Sequence, residues 1–192
     1  MRIHYCAGDI YLDGYINIDV VGQLAEMSSQ EQIDANKTTL DNYFKYPFIE
    51  DAELRHKSKR PFIVDRLENI LERWNFDDSS AEEIVMISSL EHFWPQEIKN
   101  HIIPEICRVL KPGGKLIIDF PDIVKTVEEY KDKNPEHMIT LLYCNHTSQY
   151  AIHHYGYTEE TFKNLFPASY EVNRKDIVKH DYPTTGMEVT KR

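Results

Sequence analysis

The sequence has few cysteines and no long apolar segment, and each shortage excludes a class of protein. Its 192 residues include three cysteines, an odd number without a CxxC pair, which argues against a disulfide scaffold and favours a reducing cytoplasm. No apolar run reaches the roughly 20 residues that a membrane-spanning helix needs, and the N-terminal MRIHYCAGD lacks the apolar core of a signal peptide. We therefore expect a cytoplasmic protein with no membrane partner.

Basic residues are also scarce relative to acidic ones. There are 22 Lys and Arg against 32 Asp and Glu, which gives a net charge of −10. A surface of this sign repels phosphate backbones and anionic lipid heads, so we expect no nucleic-acid partner. The chain is 41% apolar, enough to form a core, and it contains no internal repeat, low-complexity tract or Gly/Ser linker. Residues 1–192 are therefore expected to form one domain.

Apolar patterns predict strands that alternate with helices. The predicted strands of the first two thirds are 2–6, 15–20, 61–64, 83–88 and 115–120. The predicted helices are 67–74, 95–110, 123–133, 136–144 and 159–166. Two closing strands, 170–178 and 187–191, predict an antiparallel hairpin at a sheet edge. This order predicts an α/β protein with a doubly wound, mostly parallel sheet and helices on both faces.

Three segments, taken in their order along the chain, carry a family resemblance. HYCAGDIYLDGYINIDV (4–20), IVMISSLEHFWPQEI (84–98) and ICRVLKPGGKLIIDFPD (106–122) resemble the class I S-adenosylmethionine-dependent methyltransferases, and most closely their compact, type 11-like branch. The resemblance covers about residues 3–20 and 62–122, and RVLKPGG and SSLEHF are its most distinctive parts. It implies a Rossmann-like methyltransferase fold with S-adenosylmethionine as cofactor.

The resemblance implies methyl transfer to a small-molecule acceptor through an oxygen or nitrogen nucleophile. The alternative is a catalytically degenerate scaffold that serves as a binding or assembly module. A nicotinamide-dependent Rossmann enzyme is disfavoured, because the GxGxxG fingerprint is absent. The identity of the acceptor stays open, as does the choice between monomer and homodimer.

The turn after the first predicted strand is the first candidate site. It reads Cys6–Ala7–Gly8 where the family usually has Gly–x–Gly, and small residues there let backbone N–H groups approach a ligand. Because Cys6 replaces the first glycine, catalytic activity itself is an open question. Asp19 ends the second predicted strand, where a carboxylate can accept hydrogen bonds from ribose hydroxyls.

Two further segments are implied by the resemblance to contact the cofactor. Asp65, after the third predicted strand, resembles the acidic residue that binds the adenine amino group, and Ser88–Ser89 follow the fourth strand at the methionine end. The residues expected to bind the cofactor are Tyr5, Cys6, Ala7, Gly8, Asp19, Val20, Asp65, Arg66, Ser88, Ser89 and Leu90.

Histidines and tyrosines are concentrated in a segment that we expect to face the acceptor. Residues 134–167 are expected to form a cap over the crevice, where loops often determine specificity. The acceptor-side candidates are Asp122, His153, His154 and Tyr155. Asp122 also suits the N-cap of the helix that follows it.

No catalytic residue can be assigned firmly from the sequence. An imidazole exchanges a proton near neutral pH, so His92, His153 and His154 are the candidate bases, although His92 also suits a packing or capping role. Cys144, His146 and the His153–His154 pair fit no familiar zinc spacing, so no metal is expected. Residues 21–60 are expected to be an atypical insertion without an assigned role.

Overall fold

The computed structural model describes residues 1–43, 62–144 and 150–192. The strands of the described residues are β1 (Arg2–Tyr5), β2 (Tyr11–Leu12), β3 (Ile16–Asp19), β4 (Gln23–Leu24), β5 (Lys37–Thr38), β6 (Ile63–Val64), β7 (Arg66–Leu67), β8 (Ala81–Met86), β9 (Leu110–Pro121), β10 (Tyr170–Arg174) and β11 (Thr184–Lys191). The helices are α1 (Gln30–Asn36), α2, which has three parts, α3 (Ile123–Tyr130), α4 (Pro135–Tyr143) and α5 (Glu159–Lys163).

A seven-stranded sheet forms the centre of the molecule. Its strand order is β10-β11-β9-β8-β1-β3-β7. The pairs from β9 to β7 are parallel, with Ile3 opposite both Ile16 and Ile84, whereas β11 is antiparallel to β9 and to β10. The order reverses at β1, which confirms the predicted doubly wound sheet with its C-terminal hairpin. The carboxyl ends of β1, β3, β7 and β8 lie together, and ligands bind at such a switch point.

Helix α2 packs its apolar stripe against one face of the sheet. It begins as an α-helix over Pro95–Glu97, widens to a π-helix over Ile98–Ile102 and continues as an α-helix over Ile103–Val109. Pro104 has no N–H to donate, and the wider turn before it relieves the clash that its ring would cause. Fully buried isoleucines along the helix complete the main core, as the predicted amphipathic helix requires.

The two faces of the sheet are covered differently. Alternate residues of β8 and β9 point to opposite sides: Ile84 and Leu116 join the main core beneath α2, while Val85 and Ile117 join a smaller cluster. That cluster is covered by residues from the chain after β1, from the 3₁₀ turn Leu40–Asn42 and its surroundings, and from the segment before β11.

The prediction of a helix over residues 67–74 is wrong. Within the described chain after β7, residues 68–80 form turns. Asn69 Oδ1 accepts a hydrogen bond from the backbone N–H of Leu71 at 3.0 Å, and the N–H of Trp74 donates to Glu105 Oε2 at 2.9 Å. Side chains therefore bind the backbone groups that a helix would have paired. The helical spacing correctly predicted that Ile70 and Trp74 are buried, but it did not correctly predict the secondary structure.

The expected insertion and cap are partly described. Residues 21–43 contain β4, the 3₁₀ turn Ala25–Met27, α1, β5 and the second 3₁₀ turn, and residues 44–60 lie outside the described chain. The cap over 134–167 contains α4 and α5, and residues 145–149, His146 among them, lie outside the description. Among the described residues, no helix is long and apolar enough to span a membrane.

Candidate functional site

The turn after β1 and the end of β3 are tied together by Asp19. Its Oδ2 accepts a hydrogen bond from the N–H of Gly8 at 2.9 Å, and its Oδ1 accepts from Val20 at 2.7 Å and from Val21 at 3.2 Å. A carboxylate has about four acceptor positions, so three backbone donors leave about one for a ligand hydroxyl. This geometry leaves Asp19 room for about one further hydrogen bond.

Open space lies beside the turn at Gly8. A Cβ built on Gly8 would meet no atom of the described residues within 4 Å, and Gly8 has a left-handed φ of +55°. Ala7 is buried, and its N–H donates to the carbonyl of Ile18 at 3.1 Å, which holds the turn against β3. The backbone at Gly8 is thus exposed to any ligand that lies across the sheet edge.

Cys6 also has a left-handed φ, of 56°, which is unusual for a residue with a side chain. Its side chain packs against the main core and lies in hydrogen-bonding contact with Ser89. Burial, and then the charge of Asp19, raise the pKa of the thiol above its ordinary range. The thiol is therefore held as an inert packing group rather than as a nucleophile.

Tyr5, at the end of β1, holds in place the residue that follows β7. Its hydroxyl donates to Glu68 Oε2 at 3.0 Å, and its ring lies 4.1 Å from that of Trp74. The N–H of Glu68 donates in turn to the carbonyl of Asp19 at 3.0 Å. Tyr5 is thus buried, and it holds Glu68, whose backbone is hydrogen-bonded to that of Asp19.

Asp65 and Arg66 both bind groups of the protein itself. Asp65 Oδ1 accepts from the Tyr11 hydroxyl at 2.7 Å, and Oδ2 accepts from the backbone N–H of Asn17 at 2.7 Å. The Arg66 guanidinium lies over the Phe76 ring and 3.5 Å from Glu68. The contact predicted between Asp65 and adenine stays a prediction, and these bonds already fix its carboxylate.

The turn after β8 is held in place by the buried carboxylate of Asp119. Ser88 has a φ of 47°, and its N–H donates to Asp119 Oδ1 at 2.8 Å. The other oxygen of Asp119 lies 2.6 Å from His180 Nε2, and the Ser88 hydroxyl lies 3.2 Å from that of Tyr182. Ser89 and Leu90 are buried, and Ser89 donates its hydroxyl proton to the carbonyl of Ile87.

Glu91, His92 and His153 converge beside this turn. Glu91 is only 2% exposed, and within the described part of the chain its Oε2 has no hydrogen-bond partner. Burial raises the pKa of Glu91 to about 8. The imidazole rings of His92 and His153 meet edge to face, with centroids 4.9 Å apart. Burial lowers the pKa of both, that of His153 to about 4, so both rings are neutral at pH 7.

The segment 152–155 is attached to the same turn. The backbone N–H groups of His154 and Tyr155 donate to the carbonyl of Glu91 at 2.7 Å and 3.3 Å. The His154 ring stacks on Trp94, with centroids 4.4 Å apart, and Tyr155 contacts Tyr157 edge to face. The structure thus brings three of the four predicted acceptor-side residues, His153, His154 and Tyr155, against the segment SSLEHF, about sixty positions away.

Asp122 serves as the N-cap of α3. Its Oδ1 accepts from the N–H groups of Val124 and Lys125, both at 3.1 Å, and its Oδ2 accepts from the Thr185 hydroxyl at 2.7 Å. This is the alternative role that the sequence offered for this residue. The predicted contact with an acceptor stays a prediction.

A cavity of about 650 Å³ opens between α3, α4 and the segment 153–156. Its walls are mostly apolar, with imidazole, phenol and carboxylate groups among them. The lining residues are Ile123, Val124, Val127, Glu128, Leu142, Tyr143, His153, His154, Tyr155 and Gly156. An apolar pocket with a few converging polar groups is the usual form of a small-molecule site.

Sequence reasoning missed Glu91, Asp119 and His180. Glu91 was visible only as part of SSLEHF, and Asp119 only as a polar residue that ends an apolar strand. The signal that could have found both is an acidic residue within a segment otherwise buried, since such a residue requires a partner. The position of His180 depends on the fold of the C-terminal segment, for which the sequence offers no such signal.

The sheet is open and mostly parallel, and its carboxyl edge carries a turn of small residues and an aspartate at the end of a strand. These features define a class of α/β proteins that bind nucleoside cofactors. The model of the methyltransferase domain family, type 11, matches residues 21–118, which are 98 of the 192 residues. The chain belongs to this family. No curated protein matches the sequence.

Solved structures share the fold at low sequence identity. An S-adenosylmethionine-dependent methyltransferase from Methanosarcina mazei is 18% identical, with a TM-score of 0.53 over 98% of this chain and 89% of that one. A protein from Pyrococcus horikoshii is 15% identical, with a TM-score of 0.53 over 100% and 81%. A putative Haloferax volcanii methyltransferase, solved with the Trm112 activator, is 12% identical, with a TM-score of 0.52 over 99% and 81%.

The protein is a methyltransferase with S-adenosylmethionine as its cofactor, and the sheet edge fits this group. The space beside Gly8 can admit a ligand, and the carboxylate of Asp19 keeps a free acceptor position next to it. Both features lie at the carboxyl ends of β1 and β3, on the side where the order of the sheet reverses.

Proposed function

We propose that this methyltransferase transfers a methyl group to the oxygen or nitrogen of a small molecule that binds in the cavity between α3, α4 and residues 153–156. The observation that carries the proposal is the position of this cavity. Its wall at His154 and Tyr155 is hydrogen-bonded to Glu91, in the turn that follows β8. The turn after β1 and the turn after β8 both stand at the carboxyl edge of the sheet.

At the cofactor end, we propose that Gly8, Asp19 and the Ser88–Leu90 turn hold S-adenosylmethionine. When bound, the cofactor supplies a methyl group that its sulfonium makes electrophilic. The protein then has to align the acceptor and exclude water, which can supply much of the rate enhancement. Asp19 binds the ribose through its free acceptor position, and its bonds to the two turns keep that carboxylate in place.

At the acceptor end, the apolar wall of α3 and α4 selects a small molecule with an apolar or aromatic body. The imidazole of His153, which burial keeps neutral at pH 7, and the imidazole of His154 offer hydrogen-bond partners for its nucleophilic group. The net charge of −10 supports a small molecule over a nucleic acid as the acceptor. The volume of about 650 Å³ is within the usual range for drug-sized ligands.

A degenerate binding module is the second candidate, and Cys6 favours it. A buried side chain stands where the family usually has glycine, and three of the acceptor positions of Asp19 are already taken by the protein. A protein of this kind would hold the cofactor, or only the fold, without turnover.

Calorimetry with S-adenosylmethionine and S-adenosylhomocysteine tests the cofactor half of the proposal. We expect binding by the wild type and a loss of roughly 10- to 100-fold in Asp19→Ala, because a hydrogen bond to a charged group contributes about 1.5–3 kcal/mol. Asp132→Ala removes an exposed carboxylate and is the matched control, with unchanged affinity expected. Absence of heat with either ligand for the wild type would contradict the proposal.

A pocket variant tests the acceptor half. Val127→Trp places a large side chain in the cavity wall, away from Asp19, so affinity for S-adenosylhomocysteine should be retained. Methyl transfer to acceptors from a metabolite panel should fall for this variant and for Asp19→Ala. Cofactor binding by the wild type without transfer to any acceptor would favour the binding module instead.

A further inference from the structure

Three potential metal ligands meet at the end of the turn after β8. Glu91 and His92 are adjacent on the 3₁₀ turn Leu90–His92, and His153 comes from the segment after α4. One ligand atom from each lies within 4.8 Å of the other two. Ligands of a tetrahedral zinc ion lie about 3.4 Å apart at the usual bond lengths, so small movements would bring the three atoms to that spacing.

One oxygen of the buried Glu91 carboxylate, Oε2, has no hydrogen-bond partner among the described residues. The neighbouring charge that acts on this carboxylate is that of Asp119, which is also acidic. A buried polar atom left unpaired costs free energy, and a buried charge costs more. A bound cation would satisfy this oxygen and would also offset the charge of Asp119.

The two histidines are oriented by backbone carbonyl groups. Nδ1 of His92 lies 3.1 Å from the carbonyl oxygen of Ile152, and the carbonyl of Ser88 also contacts this ring. The carbonyls of Leu141 and Leu142 contact the ring of His153. A neutral imidazole has one N–H, so its second nitrogen keeps a lone pair. Metal-ligating histidines commonly donate their other N–H to a carbonyl or carboxylate in this way.

The geometry points to a binding site for one divalent transition-metal ion, with Glu91, His92 and His153 as its ligands. Two imidazoles and one carboxylate suit Zn²⁺, Fe²⁺, Co²⁺ or Mn²⁺ better than Ca²⁺ or Mg²⁺, which prefer oxygen ligands. The expectation of no metal rested on the spacing of Cys144, His146 and the histidine pair. The present set draws its first two ligands from another part of the chain.

The site also narrows the class of acceptor, a step that rests on the proposed function. His153 lines the cavity assigned to the acceptor, so an ion bound to His153 would lie next to that cavity. The inference therefore favours acceptors with an oxygen or nitrogen atom that can coordinate the ion.

Metal titration of the chelator-treated protein, without a histidine tag, tests the site independently of activity. We expect one equivalent of Zn²⁺ to bind by calorimetry, and one equivalent of Co²⁺ to develop the strong visible bands of four- or five-coordinate cobalt. Glu91→Gln and His153→Gln should each weaken binding by roughly 100-fold or more, since even outer-shell changes cost 10- to 100-fold. His154→Gln, the adjacent histidine outside the set, should bind as the wild type does.

Absence of a stoichiometric ion in the wild type, or equal affinity in Glu91→Gln and His153→Gln, would overturn the inference. If the variants do not fold, NMR of the wild-type imidazoles decides, because Zn²⁺ should shift the ring signals of His92 and His153 before those of the other histidines. S-adenosylhomocysteine binding is measured on the same metal-free samples. Cofactor binding without metal binding would refute this site alone, and metal binding without cofactor binding would refute the proposed function alone.

Discussion

His4 is a buried histidine whose tautomer is set by its two partners. Its side chain is fully buried in β1, with Nδ1 2.9 Å from Asn17 Oδ1 and Nε2 2.6 Å from the Tyr43 hydroxyl. Asn17 Oδ1 also accepts from the N–H of Leu12, so it is an acceptor only. Nδ1 of His4 therefore carries the proton, and Nε2 accepts from Tyr43. Burial lowers the pKa of His4 to about 4.

This depressed pKa predicts a loss of stability as the pH falls. The unfolded chain takes up a proton near the ordinary pKa of about 6.5, whereas the folded chain resists it down to about 4. The unfolded state therefore binds more protons within this window, and the free energy of unfolding decreases as the pH falls through it. From about pH 7.5 to about pH 5 we expect His4 to account for a decrease of about 2 kcal/mol, measured by urea denaturation.

The variant His4→Gln supplies the comparison, because glutamine fills much of the same volume and does not titrate. Its free energy of unfolding should decrease less over the same pH interval, by about the 2 kcal/mol assigned to one proton. The other buried histidines titrate equally in both proteins and cancel in the difference. An unchanged pH dependence in His4→Gln would show that His4 is not the group responsible.

The candidate site shows which residues the sequence could indicate and which it could not. Asp19 and the turn to Gly8 were predictable because both follow directly from a strand and its end. Glu91 was not, because its importance comes from its burial and from its unpaired oxygen. These features depend on contacts with His153 and its neighbours, which lie about sixty residues further along the chain. Long-range contacts of this kind leave no local pattern.

At the scale of elements, the segment KPGG is a bulge that starts β9. The structure includes it within Leu110–Pro121, and the register with β8 shifts between Ala81 and Glu83. Gly113 adopts a φ of +76° in open space. A Cβ on Gly114 would lie 2.8 Å from the carbonyl oxygen of Lys111 and 2.9 Å from that of Ala81. The two glycines thus serve different needs, one conformational and one steric.

These two roles predict unequal costs of substitution. Gly114→Ala forces the backbone of β8 and β9 apart, since both close atoms belong to the main chain, and we expect a loss of about 3 kcal/mol. Gly113→Ala meets no atom and bears only the cost of a left-handed φ, about 1 kcal/mol. Urea denaturation of the two variants measures the difference. Equal losses, or a larger loss at Gly113, would contradict the assignment.

The elements differ in how well their patterns predicted them. Helix α2 was predicted from one periodic apolar face, whereas β8, which is buried on both faces, was predicted from a near-continuous apolar run. Residues 67–74 had the same helical spacing, yet the side chains of Asn69 and Glu105 bind the backbone there and prevent a helix. The spacing pattern indicated the burial of Ile70 and Trp74 but not the exposure of Leu67, and polar partners elsewhere in the sequence favour the turn over the helix.

At the scale of the whole molecule, the fold extends beyond the residues that match the family model. The match ends at residue 118, within β9, and begins after β1 and β3. The strand β1 is nonetheless central to the sheet, and β11 lies between β9 and β10. Met187 and Val189 on β11 are fully buried in the main core. The sheet therefore depends on parts of the chain that the family match does not include.

This dependence predicts that a chain without residues 184–192 loses cooperative folding. The deletion exposes the edge of β9, removes Met187 and Val189 from the core at about 2 kcal/mol each, and breaks the bond from Thr185 to Asp122. It also frees the carbonyls of Cys107 and Leu110, which accept hydrogen bonds from Lys191 Nζ. Together these losses are comparable to the roughly 5–15 kcal/mol that stabilises a typical domain.

Thermal unfolding followed by circular dichroism should show no cooperative transition, while a chain without Arg192 alone should unfold as the wild type does. A sharp transition in the shorter chain would mean that β1, β3, β7, β8 and β9 form a domain without the C-terminal hairpin.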